Sequence, residues 1–344
     1  MHVEGTRTER QARRRERRRR RRRRAVRVAG AAALLVAAAV LAAVHLTRGN
    51  GSEPRTHEGS DTVQPRTAAG PDRATHPGNL DESPDGTALD PALFTDGSCV
   101  AFGPTASDRH ETVFLDAGHG GRDPGAVGTT ASGRTIHEAS ETLPVELDAM
   151  ALLRADGYRV VVSRTRQTAV TRPLAGDVSG GVFTVAGELR EIESRDYCAD
   201  IAHADALVGI YFDAGGSPQD AGSVTAYDRA RPFWRRSLAL ATLVQRDVLA
   251  KMNANGWQIP DDGVESDVSL GGPPLSRQGG VYGHLLLLGP AMHGYFSTPS
   301  TMPGALIEPL FITDPFEGSI AASSVGQHAI ASGIADAVRR FLAG

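Results

Sequence analysis

Three side chains suited to metal-assisted hydrolysis stand far apart in the sequence. His119 lies in the glycine-rich stretch FLDAGHGG, residues 114–121, directly after an apolar run at 113–115. Glu138 begins a helical pattern, and Glu308 lies within the apolar run ALIEPLF. The glycines allow the backbone to turn sharply and to approach a ligand closely. A histidine with carboxylates is the donor set of a hydrolytic metal site, which we predict these residues form.

The elements that must position these residues alternate between strands and helices. Apolar runs predict six strands, at 113–115, 158–163, 206–212, 223–227, 285–288 and 305–310. Helical patterns separate them at 138–154, 192–204, 234–252 and 325–342. Continuous apolar strands alternating with helices predict an α/β fold, with a mainly parallel twisted sheet of about six strands and helices on both faces. Loops at one edge of that sheet would collect His119, Glu308 and residues near Tyr211.

The start of the chain predicts export. Residues 1–27 are rich in arginine, and residues 28–46 form an apolar run long enough to cross a bilayer as a helix. The positive-inside rule keeps the arginines in the cytoplasm and exports the rest of the chain after the apolar run. A transmembrane anchor and a cleaved signal segment are both open, and residues 44–46 favour the anchor because they lack a small-x-small cleavage pattern. We expect a single-pass protein of the cell membrane with an extracytoplasmic C-terminal domain, secreted if the segment is cleaved.

The exported part divides into two regions. Residues 47–108 are rich in Gly, Pro, Ser, Thr, Asp and Arg, which predicts a disordered linker. Residues 109–344 are enough for a single exported α/β domain. The formal net charge of the chain is −3, so the part that remains without the arginine block is acidic. That balance argues against nucleic acid as a partner.

The sequence contains two cysteines, Cys99 and Cys198. In an oxidising compartment such a pair forms a disulfide, here between the end of the linker and a helix of the domain. Two unpaired thiols are the alternative. A zinc site on these cysteines is disfavoured because they are far apart and no CxxC motif is present.

In five ordered pieces the region after residue 112 resembles the zinc-dependent N-acetylmuramoyl-L-alanine amidases, which hydrolyse bacterial cell walls. The pieces are LDAGHGGRDPGA at 115–126, the glutamate at 138, GYRVVVSR at 157–164, SRDYCADIAHADALVGIY at 194–211 and ALIEPLFITDP at 305–315. The resemblance implies that His119 and Glu138 are zinc ligands and that Glu308 is catalytic. It also implies the substrate, which is the amide bond between N-acetylmuramic acid and L-alanine in peptidoglycan.

One position departs from the family pattern. Tyr211 stands where the family has its second zinc-binding histidine, in GIYFD. A phenol is a poor ligand at neutral pH because its pKa is about 10. Asp213 faces the same side of the strand and is our expected replacement ligand, and His284 and His293 are further alternatives.

The two arginines of the family motifs, Arg164 and Arg195, have two interpretations. They either pair with neighbouring structural elements or bind a substrate carboxylate. We expect Asp123 to shape the glycine-rich turn.

Two functions from different classes remain open. The first is a zinc-dependent amidase of peptidoglycan. The second is a catalytically silent amidase-like domain that binds peptidoglycan or regulates an active wall hydrolase, because the loss of a ligand is how such a change would begin. A dinucleotide site is excluded because the turn lacks GxGxxG spacing, and a serine nucleophile because no GxSxG motif is present.

Overall fold

The computed structural model describes residues 86–270 and 277–344, and these residues form an α/β domain. The strands are β1 (Gly86–Ala88), β2 (Ser98–Phe102), β3 (Thr112–Ala117), β4 (Val127–Thr129), β5 (Thr135–His137), β6 (Arg159–Arg164), β7 (Val178–Ser179), β8 (Val182–Phe183), β9 (Ala206–Ile210), β10 (Ser223–Tyr227), β11 (Asp261–Ser266) and β12 (Gly304–Glu308). The helices are α1 (Glu138–Ala155), α2 (Val185–Ile201), α3 (Trp234–Ala254), α4 (Arg277–Tyr282), α5 (Pro315–Ala321) and α6 (Ser324–Leu342). The predicted segments 1–27 and 28–46 lie outside the described residues.

The main sheet has eight strands in the order β1-β2-β6-β3-β9-β12-β10-β11. The four central strands, β6, β3, β9 and β12, run parallel to one another. Antiparallel strands flank them on both sides, and β11 is parallel to β10 at the far edge. All five residues of β9 are buried, as expected for a strand covered on both faces. The prediction of a mainly parallel α/β sheet is confirmed.

Helices cover both faces of this sheet. Helices α1, α3 and α6 share one apolar core with inward side chains such as Val113 and Ile307. Helix α2 covers the other face, where Cys198 and Ala199 pack with Phe114 and Leu207. The alternation of side chains along each strand divides the two cores.

Side-chain oxygens fix where several helices begin. Thr184 accepts the amide N–H of Gly187 at the start of α2, and Ser323 accepts that of Gly326 at the start of α6. Asp314 accepts two amide groups at the start of α5, whose first residue is a proline. These are favourable N-terminal caps because they satisfy amide groups that lack a partner within the helix.

One predicted strand is wrong. Residues 285–288 form a turn in which Leu287 and Leu288 are buried, and the guanidinium of Arg231 donates to the carbonyl oxygens of Leu288 and Gly289. A short apolar run fits a buried turn as well as a buried strand, because periodicity does not separate the two. The strand β11 lies in a segment that the pattern had not marked.

The domain also begins earlier than predicted. Residues 86–108 fall within the predicted linker, yet β1 and β2 belong to the main sheet, and all five residues of β2 are buried. The polar residues around β2 give no strand pattern in the sequence. The short strand is stabilised by its pairing with β6. The linker prediction therefore does not hold for residues 86–108.

A disulfide joins Cys99 in β2 to Cys198 in α2, with 5.7 Å between the two Cα atoms. Both cysteines are fully buried between the sheet and the helix. Among the residues that the structure describes, no helix combines the length and apolar character needed to span a bilayer.

Candidate functional site

The carboxyl ends of three parallel strands gather the predicted residues at one edge of the sheet. Ile210, the last residue of β9, pairs with β3 on one side and with β12 on the other. The next residues in each strand direction, Gly118, Tyr211 and Glu308, therefore stand side by side across the sheet. Because neighbouring strands lie about 4.8 Å apart, these three backbone positions span roughly 10 Å.

His119 projects from the turn after β3. Its backbone has a φ of 62°, in the left-handed region where histidine is one of the more tolerated residues. Gly118 leaves room for the ring of Tyr211, which a Cβ atom at that position would strike. Gly121 approaches the backbone of Ala169 just as closely. The glycines thus let the turn lie against its protein neighbours.

The imidazole of His119 lies between two carboxylates. Its Nδ1 atom is 2.6 Å from Oδ2 of Asp123, and its Nε2 atom is 3.1 Å from Oε2 of Glu138. Burial by itself would lower the pKa of His119, but the charges and hydrogen bonds of Glu138 and Asp123 outweigh it and raise that pKa to about 10. The pair of His119 and Glu138, predicted from residues far apart in sequence, is therefore assembled.

Glu138 is held in place by backbone amide groups from two directions. It is the first residue of α1 and is almost fully buried. Its Oε2 atom accepts the amide N–H of Ala126, and its Oε1 atom accepts that of Phe212, each at 2.9 Å. The second bond joins the start of α1 to the end of β9. Glu138 is therefore oriented toward His119 by the fold itself.

Tyr211 is engaged elsewhere in the site. Its hydroxyl donates to Oδ2 of Asp116 at 3.1 Å, and its ring lies edge-on to His119 with 5.4 Å between the ring centres. Burial raises the pKa of Tyr211 well above its ordinary value, and the neighbouring charge of Asp116 adds to the increase. In this arrangement the hydroxyl of Tyr211 is directed at Asp116.

The two arginines, Arg164 and Arg195, are buried and have acceptors within the protein. Arg195 is paired with Asp116 at 2.5 Å and donates to the carbonyl oxygens of Ala117 and His119. Arg164 is fully buried and donates to the carbonyl oxygens of Gly118 and Ala139. Their burial and their protein acceptors do not support the expectation that these arginines bind substrate. Both arginines donate hydrogen bonds to backbone carbonyl oxygens of the glycine-rich turn.

The expected replacement ligands do not join His119 and Glu138. Oδ1 of Asp213 accepts the amide N–H of the next residue. Among the described residues, Asp228, Asp267 and His284 are the group of three whose ligand atoms all lie within 4.8 Å of one another. Asp213 therefore does not complete a compact three-ligand group at His119, and His284 is occupied elsewhere. His293 is exposed in a loop.

Sequence reasoning missed two residues near the site. Asp116 joins Arg195 and Tyr211 beneath the turn. Glu188 lies in the first turn of α2. Burial raises its pKa, the charge of Asp123 adds to the increase, and the charge of His119 opposes it. Asp116 directly precedes the turn inside a buried strand, and a buried carboxylate in such a place needs a cationic partner. That rule could have identified Asp116, whereas Glu188 carries no comparable signal.

A family model and several solved structures are similar to this chain. The sequence model of a family described as N-acetylmuramoyl-L-alanine amidase matches residues 113–340, which is more than half of the chain. Similar solved structures include the N-acetylmuramoyl-L-alanine amidase from Clostridium difficile 630, with 24% identity, a TM-score of 0.48, and coverage of 68% of this chain and 97% of that chain. AmiC2 of Nostoc punctiforme, an N-acetylmuramoyl-L-alanine amidase, has 21% identity, a TM-score of 0.47, and coverage of 69% and 100%. A search of curated proteins found no match.

Proposed function

The chain belongs to the N-acetylmuramoyl-L-alanine amidase family, and we propose that it hydrolyses the amide bond between N-acetylmuramic acid and L-alanine in peptidoglycan with the help of a bound zinc ion. The observation that carries this proposal is the contact of His119 with Glu138, beside the strand end that bears Glu308.

The donors at this edge fit zinc in two positions. Nε2 of His119 and Oε2 of Glu138 face each other at 3.1 Å, and both residues would hold the ion. Asp123 binds Nδ1 of the same imidazole, which is the carboxylate–histidine arrangement that orients metal-binding histidines. Tyr211 does not fit as the third donor in this arrangement, because its hydroxyl donates to Asp116.

Each remaining residue has a defined task in the proposed reaction. Zinc, when bound, supplies a Lewis acid for the amide carbonyl and for the attacking water. Glu308 accepts a proton from that water and returns it to the nitrogen of alanine as the C–N bond breaks, leaving a carboxylic acid and a free amine. Arg164 and Arg195 keep the turn in shape through its carbonyl oxygens.

We further propose that the domain works outside the cytoplasm, attached to the cell membrane through residues 28–46, with peptidoglycan as its partner and no role for nucleic acid. The Cys99–Cys198 disulfide supports this placement because such bonds persist in oxidising compartments.

Hydrolysis of muropeptides by the purified full-length chain, with and without added zinc, tests the function. Glu308→Gln keeps the size of the side chain but removes the base, so we expect kcat to fall by about 100-fold or more. Glu111→Gln is the matched control. Glu111 directly precedes β3 and so lies at the opposite end of that strand from the turn that carries His119. A Glu308→Gln chain that retains the parent rate would contradict the role of Glu308.

The same assay decides whether the tyrosine has silenced the site. If the zinc-loaded parent chain binds muropeptides but releases no stem peptide, the function is peptidoglycan binding and not hydrolysis.

A further inference from the structure

A second group of potential metal ligands lies at the opposite edge of the sheet from His119. Strand β10 runs antiparallel to β12, with Val224 opposite Glu308 at the active edge. Asp228 directly follows β10 and so lies near Gly304, where β12 begins. The four residue steps from Gly304 to Glu308 correspond to about 13 Å along the strand. The two places are therefore separate.

Two parallel strands and one loop build this group. Tyr227 pairs with Ser266, so Asp228 and Asp267 are the adjacent residues after β10 and β11. Nδ1 of His284 is 2.6 Å from Oδ2 of Asp228 and 3.1 Å from Oδ2 of Asp267. The three ligand atoms thus converge on one point.

Backbone groups orient the two carboxylates toward that point. The amide N–H of Leu285 donates to Oδ2 of Asp267 at 3.0 Å. The amide N–H of Ala230 donates to the other oxygen of Asp228, Oδ1. Ligands fixed by such bonds are typical of metal sites that are formed before the ion arrives.

The buried oxygen of Asp228 is the independent sign that a ligand is missing. The side chain of Asp228 is 1% exposed, and its Oδ2 atom has no hydrogen-bond partner. Oδ2 is in ion-pair contact with Nδ1 of His284, whose hydrogen bond is with Oδ2 of Asp267. Buried carboxylates without such a partner are rare because desolvation of the charge costs several kcal/mol.

The nearest arginine does not fill this role. The guanidinium of Arg231 donates to the carbonyl oxygens of Gly289 and Ser300, so these hydrogen bonds go to the loop that follows His284. Two buried carboxylates therefore share one imidazole as their close partner.

We propose that Asp228, Asp267 and His284 bind a divalent transition-metal ion, for which Zn2+ is the probe, and that this ion fastens the loop after α4 to the ends of β10 and β11. Two carboxylate oxygens and one imidazole nitrogen suit zinc, and the imidazole disfavours magnesium and calcium. Its role is structural, and it does not depend on the proposed amide hydrolysis.

Zinc content separates this site from the one at His119. The full-length chain with His119→Ala is stripped with a chelator, reloaded with Zn2+, dialysed and measured by mass spectrometry. We expect one zinc per chain in this variant and none when His284→Gln is added. His293→Gln is the matched control because it removes an exposed histidine from the same loop, and it retains the zinc.

Thermal unfolding gives a second measurement on the His119→Ala chain. At free Zn2+ of about 100 times Kd, the Tm is expected to rise by roughly 5–10 °C, and His284→Gln is expected to abolish this rise. Anomalous scattering at the zinc edge from crystals of the His119→Ala chain should place a peak between the three side chains.

Three results would overturn the proposal. They are a His119→Ala chain without zinc after loading, a Tm unaffected by Zn2+, and an anomalous peak at another place. The first of these is decisive even if His284→Gln fails to fold. If the parent does not hydrolyse muropeptides and the His119→Ala chain still binds zinc, the proposed function is rejected and the zinc site at Asp228 is supported.

Discussion

Tyr211 gives the candidate active site its unusual chemistry. The side chain fills the space above Gly118 and donates a hydrogen bond to Asp116, which is itself paired with Arg195. The phenol therefore contributes volume and a hydrogen bond, and we propose that it is not a zinc donor. In the proposed zinc site, this leaves His119 and Glu138 as the two donors.

Restoring an imidazole at this position tests that interpretation. We expect Tyr211→His to bind Zn2+ at least about tenfold more tightly than the parent, because the variant adds a third donor next to His119. Competition against a chromogenic chelator measures the affinity, in a His284→Gln background so that one zinc site is observed.

Tyr211→Phe provides the comparison, since it removes the hydroxyl and adds no donor. Equal zinc affinity of the histidine and phenylalanine variants would show that position 211 does not face the ion.

At the level of elements, the disulfide binds a strand that the sequence assigned to a linker. Strand β2 pairs with β6 along one side, and Cys99 ties it to α2 on the face of the sheet. The cysteines are 99 residues apart, so the bond closes a long loop in the unfolded chain.

Removing this bond should destabilise the domain. Cys99→Ala with Cys198→Ala is expected to lower the free energy of unfolding by roughly 2–4 kcal/mol, chiefly because the unfolded chain gains freedom. Urea unfolding of the oxidised parent and the double variant measures the difference.

Reductant supplies the control. It should weaken the parent to about the level of the double variant and leave that variant unchanged. An oxidised parent no more stable than the double variant would contradict a stabilising role for the bond.

How far the sequence predicted these elements depends on their own patterns. The sequence predicts helices α3 and α6 to within two residues of their observed ends, because long segments with helical periodicity are the clearest pattern. The sequence does not predict strand β2, since its flanks are polar. It wrongly predicts a strand at residues 285–288, because a buried apolar turn has the same composition. Short elements take their conformation from distant partners.

The same limit applied to the two sites. The contact of His119 with Glu138 was predictable because both residues sit in recognisable motifs. The group at Asp228 was not, because its members meet only through the pairing of β10 with β11 and a loop that returns to both. The sequence showed neither β11 nor the order of the outer strands.

At the level of the whole molecule, buried acidic groups influence stability. Glu146 is fully buried, and its Oε1 atom accepts the amide groups of Ala117 and Ser163 as well as the hydroxyl of Ser163. Its Oε2 atom has no hydrogen-bond partner. Burial raises the pKa of Glu146 from 4.5 to about 7, although the charge of Arg164 opposes this.

This raised pKa predicts a loss of stability as the pH rises from acidic to neutral. Between about pH 4.5 and pH 7 the folded chain holds a proton that the unfolded chain has released, so the free energy of unfolding falls as the pH rises through that window. Glu146→Gln does not titrate and should reduce the fall between pH 5 and pH 8 by up to about 3 kcal/mol.

Chemical denaturation across this pH series compares the variant with the parent. Glu111→Gln, at the far end of β3, should keep the pH dependence of the parent. A Glu146→Gln chain with the same slope as the parent would show that Glu146 does not titrate in this range.

The pairing of Cys99 with Cys198 also limits the errors that can occur when the disulfide forms. Because the sequence contains two cysteines, oxidation within one molecule has a single product, and no scrambled isomer exists that an isomerase would have to correct. Cys99 emerges first from the ribosome and waits for a thiol 99 residues later. The covalent error open to the chain is therefore a crosslink between two molecules, favoured by crowding during synthesis and absent at high dilution.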